Sequence, residues 1–265
     1  MSAKAKNITL NFILKDKTSG SSELLSRLNN YFLSRPINFD KIKIEIHTIK
    51  TELKHFTVIL NYLKELELVL RKKDETHLKR YLEEFAKNEE KSFGRIFAKI
   101  RFSLKGKNKI LTLSNSKTLF EVFSRLRKET KDLRITVCES DPGKEGIILA
   151  DKLDNCGIKT IVIPDSSIRD YIQASDAVII GADMILKSGN VVNKIGSRNA
   201  GIICEYYGVP FYVLASKGKF SNLQKINHLR ANKSATDYRN GKNTGALNSL
   251  FEEIDKKLIT KIITD

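Results

Sequence analysis

From about residue 21 to residue 103 the apolar positions return at helical intervals. Leu24, Leu28 and Tyr31 form one stripe, Phe56, Ile59, Leu60 and Leu63 a second, and Leu78, Leu82 and Phe85 a third. A fourth comprises Phe93, Ile96, Phe97 and Ile100. Spacing of this kind predicts helices that bury one face against each other, a helical bundle. Pro36 falls near the end of the first helix, where the missing N–H and the ring oppose continuation. Between residues 42 and 46 apolar and charged residues alternate, which allows one local extended segment.

Beyond the polar stretch 105–109 the pattern changes. Short runs at 110–113, 135–138, 160–163, 177–180 and 211–214 are apolar throughout, as strands covered on both faces are. Helical segments separate them. One, carrying Leu119, Val122, Phe123 and Leu126, is expected to open on a capping box of Thr118 with Glu121. Strands alternating with helices imply a parallel sheet wrapped on both sides. The predicted class is α/β, with an N-terminal helical domain over 1–106 and a Rossmann-like parallel-sheet domain over 107–265.

Composition adds three bounds. A chain of 265 residues with 41% hydrophobic content can bury a sizeable core without staples. Cys138, Cys156 and Cys204 are scattered and lack metal-ligand spacing, so they read as structural thiols of a reducing cytoplasm, with no metal and no cofactor called for. Residues 1–17 offer no signal-peptide apolar run, and no stretch nears about 18 uninterrupted apolar residues, so neither export nor a membrane is expected. Lys and Arg number 47 against 31 acidic residues, a formal charge of +16 that attracts phosphates, nucleic acid or acidic surfaces. A solvated, thermophile-like charged surface explains it equally well.

In a Rossmann-like sheet, ligands bind beyond the carboxyl ends of the strands, so candidate chemistry lies there. After the first strand come Ser114, Asn115 and Ser116, a hydroxyl-rich turn into a helix whose free N–H groups suit an anion. Glu139 and Ser140 follow the second strand, and Gly181 and Asp183 the fourth. A Gly-containing turn then delivers Asn193 and Lys194 before a further helix, where amide, ammonium and backbone N–H can converge on a phosphate. The bland readings are an N-cap for Ser116 and, for Asp183, Asn193 and Lys194, a cap acceptor, a turn former and its partner.

The run Gly181-Ala-Asp183, then Asn193-Lys194-Ile-Gly196-Ser197, then Gly208-Val-Pro-Phe-Tyr-Val213 resembles the signature of the translation initiation factor 2B α/β/δ-subunit family. Methylthioribose-1-phosphate and ribose-1,5-bisphosphate isomerases are its enzymatic relatives. The resemblance implies that in the enzymes a cysteine after the first strand and the aspartate of Gly-Ala-Asp move a proton between sugar carbons. A thiol suits that step because its pKa, about 8.5, can be lowered toward neutrality. Here Ser114 stands in the cysteine's place. Asp141 replaces the arginine of the Glu-Ser/Thr-Arg-Pro motif, and the N-terminal Arg-Gly loop is matched at best by Lys17-Thr-Ser-Gly20-Ser-Ser.

Three losses on one chemistry point to a non-catalytic regulatory subunit. The resemblance implies a homodimer or an assembly of dimers and initiation factor 2 as partner; the remaining Asp183, Asn193 and Lys194 fit either a structural role or a retained sugar phosphate or nucleotide as ligand. The alternative is an aldose-ketose isomerase with altered catalytic residues, using Asp183, with Cys138 in place of the missing thiol. His47, His55, His77 and His228 read as surface residues. The basic tract of Lys217, Lys219, Lys225, Arg230, Lys233, Arg239 and Lys242 would bind nucleic acid only non-specifically.

Overall fold

The computed structural model describes residues 9–16, 18–226 and 250–265. A short helix, α1 (Leu10–Leu14), precedes α2 (Ser21–Leu33), α3 (Phe39–Glu52), α4 (Thr57–Leu70) and α5 (Glu75–Ile100). Side chains of Thr9, Asn38 and Asp74 cap α1, α3 and α5 by accepting backbone N–H groups of the first turn. Residues 42–46 are not extended but lie inside α3. Ile42, Ile46 and Ile49 recur every three or four residues and fill the bundle core, while Ile44 is 69% exposed, so the helical period prevails over the local alternation.

At 26 residues, about 39 Å, α5 reaches past the bundle. Leu78 and Leu82 near its start lie in the bundle core with Leu28 and Leu63, whereas Ile96 and Ile100 belong to the core beneath the sheet, with Leu104. One rigid element therefore serves two cores.

The sheet is built from β1 (Lys109–Leu113), β2 (Arg134–Cys138), β3 (Lys159–Ile163), β4 (Ala177–Ile180), β7 (Phe211–Ala215) and β9 (Lys261–Thr264), with α6 (Lys117–Glu129), α7 (Glu145–Asp154), α8 (Ile168–Gln173) and α9 (Ser197–Tyr207) between them. Its order is β3-β2-β1-β4-β7-β9 and every pairing is parallel. Phe123 and Leu149 of α6 and α7 pack on one face with Ile110, Ile135 and Ile179; Ile172, Ala200 and Cys204 of α8 and α9 pack on the other with Leu111, Val178 and Val213. The fold is the expected α/β architecture.

Two local expectations are corrected. Residues 160–163 are not covered on both faces: β3 is the sheet edge, and Ile161 and Val162 are 51% and 43% exposed. Helix α6 opens on Ser116, whose Oγ accepts from Leu119 N; Thr118 is buried in the first turn and Glu121 pairs with Arg125. A small antiparallel sheet, β5 (Met184–Ile185), β6 (Val191–Lys194) and β8 (Phe251–Ile254), sits beside the main one. Strands β5, β6, β8 and β9, two to four residues long, were not expected from the sequence. Among the described residues no helix is long and apolar enough to cross a membrane.

Candidate functional site

Strand order reverses between β1 and β4, and the carboxyl ends of these two strands open into a cavity of about 550 Å³. Helix starts meet there: Gly20, Ser21 and Ser22 at the head of α2, and Ser116 and Lys117 at the head of α6. Close approach explains Gly20. A Cβ there would lie 2.6 Å from the carbonyl oxygen of Asn115.

The loop before α2 is held by Asp16, which accepts from Thr18 N and Ser19 N at 2.9 Å each and pairs with Arg27. Burial pushes the Asp16 carboxyl up, but the hydrogen bonds from Ser19 and Thr18 prevail and lower it to about 2. Asn115 ties the loop to the sheet by donating Nδ2 to Thr18 O at 3.3 Å.

Of the residues singled out in the sequence, Ser114, Asn115, Ser116, Gly181, Asp183, Asn193 and Lys194 line this cavity. Ser114 is half-buried in a left-handed conformation (φ 66°), and its N–H donates to Ser140 Oγ at 2.7 Å. Ser140 is thus a buried support behind Ser114 rather than a cavity wall. Glu139 also stands outside, beside Asp141 and Asp165, with the three carboxylates within 4.8 Å of one another. The Lys144 ammonium sits 3.5 Å from Glu139 and 4.0 Å from Asp141, and Asp165 accepts the N–H groups of Ser140 and Asp141.

The bland roles proposed for Asp183, Asn193 and Lys194 are replaced by others. Asp183 caps no helix among the described residues: its Oδ1 accepts from Ser21 Oγ at 2.8 Å and lies 4.0 Å from Lys219 Nζ. Asn193 and Lys194 belong to β6, not to a turn. Asn193 Nδ2 donates to Ser197 Oγ at 2.9 Å. Lys194 does not pair with Asp183 but donates to Glu145 Oε1 at 2.7 Å, with its side chain 3% exposed. Glu145 reaches it because Gly146 lets the head of α7 press on β2, where a Cβ would lie 1.8 Å from Cys138 O. The other oxygen, Glu145 Oε2, is buried with no partner among the described residues.

Lys219 is the main surprise. Read as part of a solvent-facing basic tract, it is 4% exposed, lines the cavity, and donates to Ser21 Oγ, so it bridges the bundle and the sheet domain. Burial lowers its pKa, with Asp183 and Glu89 acting in the opposite sense. Lys217 and Lys225 are exposed; Arg230, Lys233, Arg239 and Lys242, like His228, lie outside the described residues. Nothing in the sequence separated Lys219 from its neighbours, because burial here depends on the turn after β7 docking on α4, where Asn61 Nδ2 donates to Gly218 O at 3.0 Å. His55, read as a surface residue, is half-buried at the cavity wall, and burial and then Lys54 lower its pKa.

Each lysine lining the cavity therefore has an acidic neighbour: Lys219 with Asp183, Lys194 with Glu145, and Lys117 with Glu89 at 3.5 Å. Such a site holds little net positive charge for a dianion. Cys138 supplies no substitute thiolate. It is buried in the core, and burial first, then Asp165 and Glu139, raises it to about 12.

The chain resembles known proteins both in sequence and in fold. The model of the Initiation factor 2 subunit family matches residues 7–265. An eIF-2B subunit 2-like protein of Pyrococcus abyssi is 34% identical over 159 residues, 59% of this chain and 55% of its own length. A ribose 1,5-bisphosphate isomerase of Methanocaldococcus jannaschii is 35% identical over 117 residues, 44% of this chain and 38% of its own. The chain spans about half the length, or less, of these curated relatives. The crystal structure of the Pyrococcus horikoshii translation initiation factor eIF-2B superposes with a TM-score of 0.80 at 26% identity, covering 96% of this chain and 93% of that one.

Proposed function

Since the chain belongs to the Initiation factor 2 subunit family, we propose that it is a non-catalytic, initiation-factor-2B-like regulatory subunit of the cytoplasm. It works through protein contacts, as a dimer or an assembly of dimers, with initiation factor 2 as its partner. The cavity retains a small phosphorylated ligand, a sugar phosphate or nucleotide. Its phosphate would lie at the heads of α2 and α6, and its hydroxyls would donate to Asp183 and to the free oxygen of Glu145.

The observation that carries this reading is Ser114. Its hydroxyl takes the thiol's place at the end of β1 and has no histidine, lysine or carboxylate hydrogen-bonded to it among the described residues. An unassisted alcohol is a poor acid or base at neutral pH. The acidic partners of the three cavity lysines add to it, since a bisphosphate would have to displace them.

The test is incubation with ribose 1,5-bisphosphate and methylthioribose 1-phosphate, alongside native mass spectrometry and capture of purified initiation factor 2. The expected result is no turnover, a dimer and a stable complex. Enzyme-like turnover that disappears in Asp183→Asn would replace the regulatory reading by the isomerase one.

A further inference from the structure

The opposite end of the sheet carries a different arrangement. Strands β1, β2 and β3 run parallel and in register, so Lys109, Arg134 and Lys159 are Cα partners in adjacent strands. In-register residues of parallel strands project from one face, and strands lie about 4.8 Å apart, so these cations form a row roughly 10 Å long. All three are exposed and none forms an ion pair among the described residues.

Neighbouring turns extend the row. Arg127 Nε donates to Gly157 O at 3.0 Å, joining the end of α6 to the turn before β3, and Lys107 Nζ donates to Asp176 O at 3.2 Å. Arg101 lies 3.6 Å from Glu129, which brings the turn after α5 beside the end of α6. That turn presents Phe102, 76% exposed, with the Arg101 guanidinium 5.3 Å from its ring centre. Four acidic groups lie near the row, and none forms an ion pair with its three cations among the described residues. Asp176 accepts the N–H groups of Asn108 and Lys109 through Oδ2, Glu129 faces Arg101, and Asp132 and Asp154 are exposed.

We infer that this amino-terminal edge of the sheet binds single-stranded nucleic acid. The row of unpaired cations takes successive phosphates, and Phe102 offers a face on which a base stacks. Charge alone would also attract an acidic protein. An exposed ring already paired with a guanidinium, at the same end of the sheet as cations set at strand spacing, is the combination that sequence-tolerant strand binders use. The inference is independent of the cavity and of the regulatory reading.

The test uses the full chain and a fluorescent single-stranded RNA of about 16 nucleotides. Anisotropy is followed from low to moderate salt for the wild type, the triple variant Lys109→Gln, Arg134→Gln, Lys159→Gln, the control Lys217→Gln, Lys225→Gln, and Phe102→Ala. The triple variant is expected to lose about tenfold or more in affinity, and its log–log salt slope to shrink by about 2, since each phosphate contact on a single strand contributes about 0.7. Phe102→Ala should weaken binding about fivefold or more with the slope unchanged. Wild-type affinity and slope in the triple variant would overturn the proposal, as would an equal loss in the control. Poly-glutamate of matching charge competing as well as RNA would assign the edge to acidic proteins instead. Unchanged binding in Phe102→Ala would remove the stacking half.

Discussion

The two ends of the parallel sheet handle charge in opposite ways. At the carboxyl end, Lys194 and Lys219 are 3% and 4–5% exposed and stand beside Glu145 and Asp183. At the amino end, Lys109, Arg134 and Lys159 stand in water with no carboxylate paired to them among the described residues. A cation out of water needs a partner, because desolvation in the interior costs several kcal/mol per ion; a cation in water does not. Burial thus ties the cavity's cations to acidic neighbours, whereas those at the strand starts face water.

The difference can be broken most severely at Glu145. Glu145→Leu leaves the Lys194 ammonium buried alone, and a loss of about 3–5 kcal/mol is expected in urea unfolding. A loss below about 1 kcal/mol would mean that Lys194 swings out to water and that the cavity's charges are not locked. Next comes Gly20→Ala. The added Cβ, 2.6 Å from Asn115 O, forces the head of α2 away from the β1–α6 turn, at about 1–3 kcal/mol. A variant as stable as the wild type would show that the bundle and the sheet domain are loosely joined there.

A pH titration sharpens the comparison. Asp16 has a folded pKa of about 2 against an ordinary value of 3.8, so its stabilisation is complete above about 4 and is lost as pH falls through about 2. Asp16→Asn should therefore flatten the fall in unfolding free energy over that window. An unchanged acid limb would show that other carboxylates dominate it. The smallest effect belongs to the amino end: replacing Lys109, Arg134 and Lys159 together by Gln should move stability by no more than about 0.5 kcal/mol per site. A larger loss on thermal unfolding would mean that these cations are structural and that the two ends are not so different.

Much of the fold was legible in the chain because periodicity is a local property. The stripes beginning at Leu24 and Phe56 became α2 and α4, and the runs beginning at Ile110, Ile135 and Ala177 became β1, β2 and β4. Short or edge segments were less so. Residues 160–163 look as apolar as a central strand, and only the strand order reveals that β3 is an edge. Residues 42–46 satisfy both periods, and the bundle core chose the helical one.

For the site, the sequence by itself determined which groups follow each strand: Ser114 after the first, Asp183 after Gly-Ala, and Asn193-Lys194 before a helix. Only the tertiary structure decided what those groups meet. Ser21 and Asp183 are 162 residues apart, Lys219 and Ser21 are 198 apart, and Glu145 and Lys194 are 49 apart. A hydrogen bond or ion pair acts over a few ångströms and carries no periodic trace along the chain, so partners this distant appear only once the helices dock on the sheet.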